Sequence, residues 1–400
     1  MKILYVIPFM QVPPKNGLAI RLFNIINYLS DLHEITILSY EVDDQGDFFS
    51  WASEGQRDLV SLGNIKDNRS GKRRSLLGTI FQFPPASFVS SNPLKISREI
   101  KNLIEKGQNF NLIIFETQNT AQAALLLPKE LKKIPKIAVL LDVYSVYKLR
   151  KYRSIGFRPY KAIYLLDWLK TEIYERRILA TFKHVVVMSD EDARHLRHRW
   201  PGQPFVSPNG VDTEFFKNSD TSTKMPPGVI FVGNFNYEPN IDGYKYLLDQ
   251  IMPMVWQVLP QTNVFLVGIN PSDELTALAR QDTRIIVTGP VDDLRSWYQK
   301  ADCAVVPLRM GSGTKLKVLE AFSMSMPVVS TGIGMEGIPV SNGCQAFIAK
   351  TPAEFAAKIV EVLRDPVKSR EMGAAARVFA LDYDWKKISE EFESWIVTKQ

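Results

Sequence analysis

One pattern constrains this chain more than any other: short runs of aliphatic and β-branched residues, apolar from end to end, alternate with longer segments of helical spacing, and they do so in both halves. A strand that faced water on one side would alternate polar and apolar residues. These do not, so both faces must be covered, as in a parallel sheet with helices above and below. In the first half Lys2–Pro8, Glu34–Ser39, Leu112–Phe115, Ile137–Leu141 and His184–Ser189 read as strands, and Ala19–Leu32, Ala121–Leu127 and Tyr164–Thr181 as helices. In the second half the strands are Gly228–Gly233, Val264–Gly268, Arg284–Thr288, Ala304–Pro307 and Val328–Ser330. The helices there are Asp242–Val258, Asp273–Arg280, Asp293–Lys300 and Lys315–Ser325.

The 400 residues exceed one ordinary core, which makes two domains the expectation. Prolines and a glycine cluster at Trp200–Pro208, a linker by composition. The expected division is residues 1–205, one α/β domain; 206–378, a second; and 379–400, a closing helix packed back on the first domain. In that helix Phe392 and Trp395 share one face. With 45% hydrophobic and 23% charged residues the chain is globular rather than disordered. Two cysteines, Cys303 and Cys344, offer neither a disulfide framework nor a zinc pattern, which suits a reducing, cytoplasmic compartment. The N-terminal apolar run soon meets Pro8, too short for a secretory signal, and no window approaches a membrane span. A net charge of +6 favours an anionic partner.

Chemistry concentrates in Arg309-Met310-Gly311-Ser312-Gly313-Thr314-Lys315-Leu316-Lys317-Val318-Leu319-Glu320-Ala321. A buried strand precedes this stretch and a helix follows it. Free N–H groups and the helix dipole at such a junction attract an anion, and small residues let a phosphate approach. Lys315 and Lys317 add charge, and Glu320 is placed to accept hydrogen bonds from ribose hydroxyls. A diphosphate beside a ribose is what a nucleotide-sugar presents. The competing reading is a turn whose glycines only reverse the chain and whose lysines are solvated.

Taken together, the turns of this chain resemble the large retaining glycosyltransferase family 4, with the GT-B fold: two Rossmann-like doubly wound domains facing a cleft. Pro14–Arg21 resembles the family's first glycine-rich turn. Val185–Ser189 followed by Pro208-Asn209-Gly210-Val211-Asp212 and Phe216 resembles its hinge region, Phe231-Val232-Gly233 the opening of the donor domain, and Gly289-Pro290-Val291 the nucleobase turn. The resemblance implies that Gly17, Gly233 and Asn234 lie against the donor and that Val291 and Leu294 frame its base. It implies further that Arg309, Gly311, Ser312, Gly313, Thr314, Lys315 and Leu316 hold its phosphates, and that Lys317 and Glu320 serve the reaction. The loop matches a branch of the family with Gly-Ser-Gly-Thr-Lys/Arg-Leu-Lys.

Three positions depart from the family pattern. The first carboxylate of Glu-x7-Glu is Ser312 here. The turn after Gly233 reads Asn234 to Asn240 without the usual Arg and Lys, leaving Lys315, Lys317 or Arg309 to take over. The usual His after Ile137–Leu141 is replaced by Tyr144, beside Asp142.

The reaction implied is transfer of a sugar from a nucleotide-sugar to a hydroxyl of a saccharide or lipid-linked acceptor, by same-face attack with retention. A double-displacement route needs a carboxylate at the anomeric carbon, for which Asp142 and Glu116 are the candidates. Asp190-Glu191-Asp192, Asp382-Tyr383-Asp384 and Asp292-Asp293 read as helix starts or tail residues, so no metal and no cofactor is expected. Basic segments Lys66–Arg74 and Lys148–Lys161, the second with Tyr152, Phe157 and Tyr160, suit either solvent or peripheral contact with an anionic membrane, in cell-envelope or exopolysaccharide synthesis. Neither lies on a nucleic-acid module. A nucleotide-sugar 2-epimerase and a non-catalytic nucleotide-sugar binder are the alternatives. A dinucleotide oxidoreductase is disfavoured, because no Gly-x-Gly-x-x-Gly follows Lys2–Pro8.

Overall fold

The computed structural model describes residues 1–14, 16–42, 51, 57–62, 84–85, 88, 92–154, 161–218, 227–311 and 313–399. The chain divides into two compact units, Met1–Pro208 with Ile388–Gln400, and Asn209–Lys387. Residues 379–387 therefore belong with the second unit.

The first unit holds a seven-stranded sheet of β1 (Lys2–Met10), β2 (Glu34–Val42), β3 (Arg57–Ser61), β4 (Leu112–Glu116), β5 (Lys136–Leu140), β6 (His184–Val187) and β7 (Phe205–Val206). Every pairing is parallel and the order is β3-β2-β1-β4-β5-β6-β7. Its helices are α1 (Gly17–Ser30), α2 (Pro93–Glu105), α3 (Gln118–Ala121), α4 (Tyr144–Ser154), α5 (Lys161–Leu179) and α6 (Asp190–Leu196). The second unit holds β8 (Gly228–Val232), β9 (Asn263–Val267), β10 (Ile285–Val287), β11 (Cys303–Val306), β12 (Val328–Thr331) and β13 (Ala346–Ala349), again all parallel, in the order β10-β9-β8-β11-β12-β13. Its helices are α7 (Glu238–Tyr246), α8 (Met252–Val258), α9 (Asp273–Gln281), α10 (Arg295–Lys300), α11 (Leu316–Ser323), α12 (Pro352–Arg364) and α13 (Pro366–Leu381); α14 (Trp385–Val397) closes the chain.

The continuous apolar runs are the interior of both sheets. Ile3 to Ile7 and Leu112 to Phe115 are at most 1% exposed, as is Val264 to Val267 in the second unit. Burial of such surface is worth roughly 25 cal/mol per Å², and a run buried on both faces gains it twice per pair of residues. Phe392 of α14 is fully buried, and the Trp395 ring stacks on Phe205 with centroids 4.7 Å apart.

Several elements differ from the sequence expectation. The proline-rich stretch read as a linker contains β7, which pairs with β6. Residues 121–127 are not one helix; α3 makes a single turn and Gln122–Leu126 continues as 3-10 helix. The helix expected from Asp242 begins at Glu238, because Pro239 stands in its first turn, where no N–H is required. It is interrupted by a π turn at Leu247–Ile251. Strands β3 and β13 and helices α2, α4, α12 and α13 are additional to the sequence expectation. No helix among the described residues is long and apolar enough to cross a membrane. Cys303 is buried and Cys344 exposed, both as free thiols.

Candidate functional site

In each sheet the strand order reverses once, between β1 and β4 and between β8 and β11. Connections leave such a pair in opposite directions, so a crevice opens at the strands' carboxyl ends. The helices that follow β8 and β11, α7 and α11, share a second property. Neither N-terminus is capped by a side chain, as is also true of α3, α8 and α10, whereas α1, α2, α6, α9, α12 and α13 all are. The uncapped first turns leave a positive potential facing the crevice.

The predicted loop residues gather there. Gly311 and Gly313 have φ of +120° and +73°, a left-handed backbone that glycine adopts at no steric cost. A Cβ on Gly311 would lie 3.9 Å from Pro239, so the loop passes over the start of α7. Thr314 is 9% exposed, and among the described residues its hydroxyl has no hydrogen-bond partner. A buried hydroxyl left unpaired is costly unless a ligand or water completes it. Lys315 turns its Nζ to the Gly313 carbonyl, and Leu316 is the first residue of α11. Ser312 lies outside the described residues.

Asn240, part of the turn after Gly233 but given no role of its own by the sequence, joins the two helices. Its Oδ1 accepts from Lys317 Nζ at 2.9 Å and its Nδ2 donates to the Asn234 carbonyl at 2.9 Å. A Cβ on Gly233 would stand 2.8 Å from Asn240 Nδ2. A side chain at this position would therefore collide with the Asn240 carboxamide, which keeps residue 233 a glycine. Gly268, with φ of +147°, is also obligatory, since its Cβ would lie 1.9 Å from the Gly233 carbonyl oxygen.

Lys317 and Glu320 are both displaced from their ordinary ranges. Burial lowers the Lys317 ammonium to about 7, opposed by Glu320 and assisted by Lys315; the Nζ also lies 4.4 Å above the Phe231 ring. Burial raises the Glu320 carboxyl, against the Tyr298 hydroxyl, which donates to its Oε2 at 3.1 Å, and against Lys317. Tyr298 sits one turn into α10, whose N-cap is Leu294. Leu294 and Val291 pack on the core of this unit. Arg309 pairs with Asp242, with Nε–Oδ2 at 3.0 Å, and its guanidinium lies 4.5 Å from the Tyr246 ring centre.

Gly17, Asp142 and Tyr144 belong to the first unit. Gly17 opens α1, but there the Ala19 N–H is already taken by Asn16 Oδ1 at 3.0 Å. Asp142 and Tyr144 follow β5 and are held from below. Gln118 Nε2 donates to the Asp142 carbonyl at 3.0 Å and to Glu175 Oε1 at 2.6 Å, while the Ser145 hydroxyl donates to Glu175 Oε2. The Tyr144 hydroxyl is pushed up to about 12, by burial first and then by Asp142 and Glu175, so it stays a donor at neutral pH. Thr117, just after β4, has φ of +76° and a buried hydroxyl without a partner among the described residues. Strain of this kind collects at functional positions.

Burial lifts Glu175 to about 7, opposed by the hydrogen bonds from Ser145 and Gln118. Its folded value lies above the unfolded one near 4.5. Between these values the folded chain holds a proton that the unfolded chain has lost, so stability falls as pH rises through this window. Glu175→Gln should flatten that slope. Thermal melts at about pH 5 and about pH 8 should show the variant gaining on the parent at the higher pH; an unchanged slope would place the titration elsewhere.

Glu116, nominated as a nucleophile, cannot serve. It is fully buried, its Oε2 accepts from the Tyr5 hydroxyl at 2.8 Å and its Oε1 from Arg21 Nε at 3.3 Å. Arg21 also donates to the Ser207 and Pro208 carbonyls and to Ser207 Oγ. The three acidic pairs have structural partners. Asp190–Asp192 begin α6, where Asp192 N–H is capped by Ser189; Asp293 pairs with Arg295; Asp384 accepts from Thr213 and Asp382 pairs with Lys387. Among the described residues no group of three or more His, Cys, Asp and Glu stands together to hold a metal ion.

Two doubly wound units with these switch-point sites define a GT-B glycosyltransferase. The family model for Glycosyltransferase Family 4 matches residues 15–215, half of the chain, and that for Glycosyl transferases group 1 matches residues 226–365. The chain belongs to glycosyltransferase family 4. A Klebsiella pneumoniae protein described as an uncharacterized 44.6 kDa protein in the cps region is 25% identical over 334 residues, which span 80% of this chain and 81% of that protein. Among solved structures, sucrose-phosphate synthase from Thermosynechococcus elongatus shares the fold with a TM-score of 0.72 at 16% identity, covering 99% of this chain and 98% of that one. Anabaena HepE in complex with UDP gives 0.71 at 16% identity over 100% of both chains, and HepE has also been solved with UDP-glucose. WaaG, a glycosyltransferase involved in lipopolysaccharide biosynthesis, gives 0.68 at 13% identity over 98% of this chain and 99% of that one.

Proposed function

We propose that this chain moves a glycosyl unit from a nucleotide-sugar to a hydroxyl of a saccharide or lipid-linked acceptor, with retention at the anomeric carbon and no metal. We place it in cell-envelope or exopolysaccharide assembly. The observation that carries the reading is the β8/β11 crevice, where two uncapped helix starts, the unpartnered Thr314 hydroxyl and the Lys317–Asn240 pair converge. That is a receptor for a diphosphate, with Glu320 one turn on to take a ribose. The UDP and UDP-glucose complexes of HepE and the cps-region relative support the donor class and the setting. In this reading the second unit binds the donor and the first the acceptor. The leaving diphosphate is stabilised by N–H groups and Lys317, the largest kind of contribution in such chemistry. A donor phosphate oxygen takes the acceptor proton on the face of attack, and Tyr144 donates to the sugar.

The test is turnover of UDP-, GDP-, ADP-, CMP- and dTDP-sugars with saccharide and lipid-linked acceptors, with and without EDTA, followed by NMR of the anomeric proton. One nucleotide series should be consumed, with the donor's anomeric configuration kept in the product and no effect of EDTA. An inverted product would end the retention claim, and loss of turnover in EDTA the metal-free one. Conversion of donor to a ring epimer without acceptor would replace transfer by epimerisation.

A further inference from the structure

We infer that the first unit docks on an anionic lipid surface through the outer face of α5, an inference independent of the donor chemistry. The helix buries Thr171, Tyr174, Glu175, Ile178 and Leu179. On its other side Leu166, Leu169 and Ile173 are 40%, 39% and 54% exposed. Their spacing of three and four residues sets them in one file along the helix, which water would not favour for three large aliphatic side chains in succession.

The same file runs on into positive charge. Arg176 is the next residue along it, and with Arg194, Arg199, His195, His198 and Glu172 it lines an open cavity of about 210 Å³. Arg177 lies beside it, exposed. Of the acids of α5, Asp167 is paired with Lys148 at 2.7 Å and Glu175 is buried; Glu172 offsets one charge, shared between Arg199 at 2.8 Å and Arg176 at 2.9 Å, against the three arginines that line the cavity. An apolar file ending in a cationic cavity matches acyl chains below a layer of phosphates, the arrangement by which a helix lies in a membrane interface. A protein partner would have to supply the same stack of apolar and anionic layers. The basic segment Lys148–Lys161 is less available: Lys148 and Arg150 are paired with Asp167 and Glu191, and Lys161 lies over the Tyr152 ring. Residues 155–160 and the segment Lys66–Arg74 lie outside the described residues.

The test is flotation of the full chain with phosphatidylcholine vesicles and with mixed phosphatidylglycerol–phosphatidylcholine vesicles. Two variants are compared, Leu166→Ser with Leu169→Ser and Ile173→Ser, and Arg176→Glu with Arg194→Glu, each checked for an unchanged circular dichroism spectrum and melt. The parent should float with the anionic vesicles only, and each variant should lose roughly tenfold or more in partitioning. Retained binding in the presence of millimolar inorganic phosphate should separate a lipid surface from a free-phosphate site. No flotation, equal flotation with neutral vesicles, or undiminished flotation of the serine variant would overturn the inference. A shift of the serine variant from dimer to monomer in gel filtration, with no change on vesicles, would assign the face to a second copy instead.

Discussion

Replacing Lys317 by alanine should lower donor turnover by about 10²–10³-fold, the usual cost of removing one preorganised donor from developing negative charge. The side chain reaches the junction of α7 and α11 through Asn240. Its charge is held down to about 7 by burial, so the free protein carries it only partly protonated near neutral pH. On the proposed reading a bound diphosphate would restore the proton, so binding should take up protons and affinity for a nucleoside diphosphate should fall as pH rises above about 7. Calorimetry at about pH 8 in two buffers of different ionisation enthalpy should show a buffer-dependent heat in the parent that is missing in the alanine variant. A loss in turnover below tenfold, with no proton uptake in the parent, would remove Lys317 from the charge-stabilising role. Glu320→Gln keeps the Tyr298 hydroxyl partnered, so its effect should fall on donor KM more than on kcat.

Arg21→Ala should destabilise the first unit by about 3–5 kcal/mol, the cost of stripping one partner from a buried ion pair. The salt bridge to Glu116 is 1% and 0% exposed at its two side chains. The guanidinium also takes up the carbonyls of Ser207 and Pro208, which end the chain segment leading out of β7. Burial raises the Glu116 carboxyl, and Arg21 and Tyr5 oppose this, so without the arginine it would be driven to protonate. The double change Arg21→Met with Glu116→Gln should recover part of the loss, because no charge is then stranded. Denaturant unfolding of the three proteins checks this; equal midpoints for parent and Arg21→Ala would mean that the pair contributes nothing.

Read alone, the sequence determined the parts of this protein that depend on near neighbours. Apolar runs such as Ile3–Ile7 could only be strands buried on both faces, and the glycine-rich turn before Leu316 could only join a strand to a helix start. Local signals for other elements were present and went unread. Asn92 and Pro93 announce α2, and Phe355, Ala356, Ile359 and Val362 mark the inner face of α12. The tertiary structure alone decided the pairings across long separations. Lys317 meets Asn240 across 77 residues, Arg309 is captured by Asp242 across 67, and Glu116 is enclosed by Arg21 across 95. No spacing rule reaches that far, since which side chains meet is set by the strand order, and the strand order follows from how the helices cover the sheet. The same packing moved Lys317 and Glu175 off their ordinary pKa ranges, because the cost of holding a charge depends on how much water the fold leaves around it.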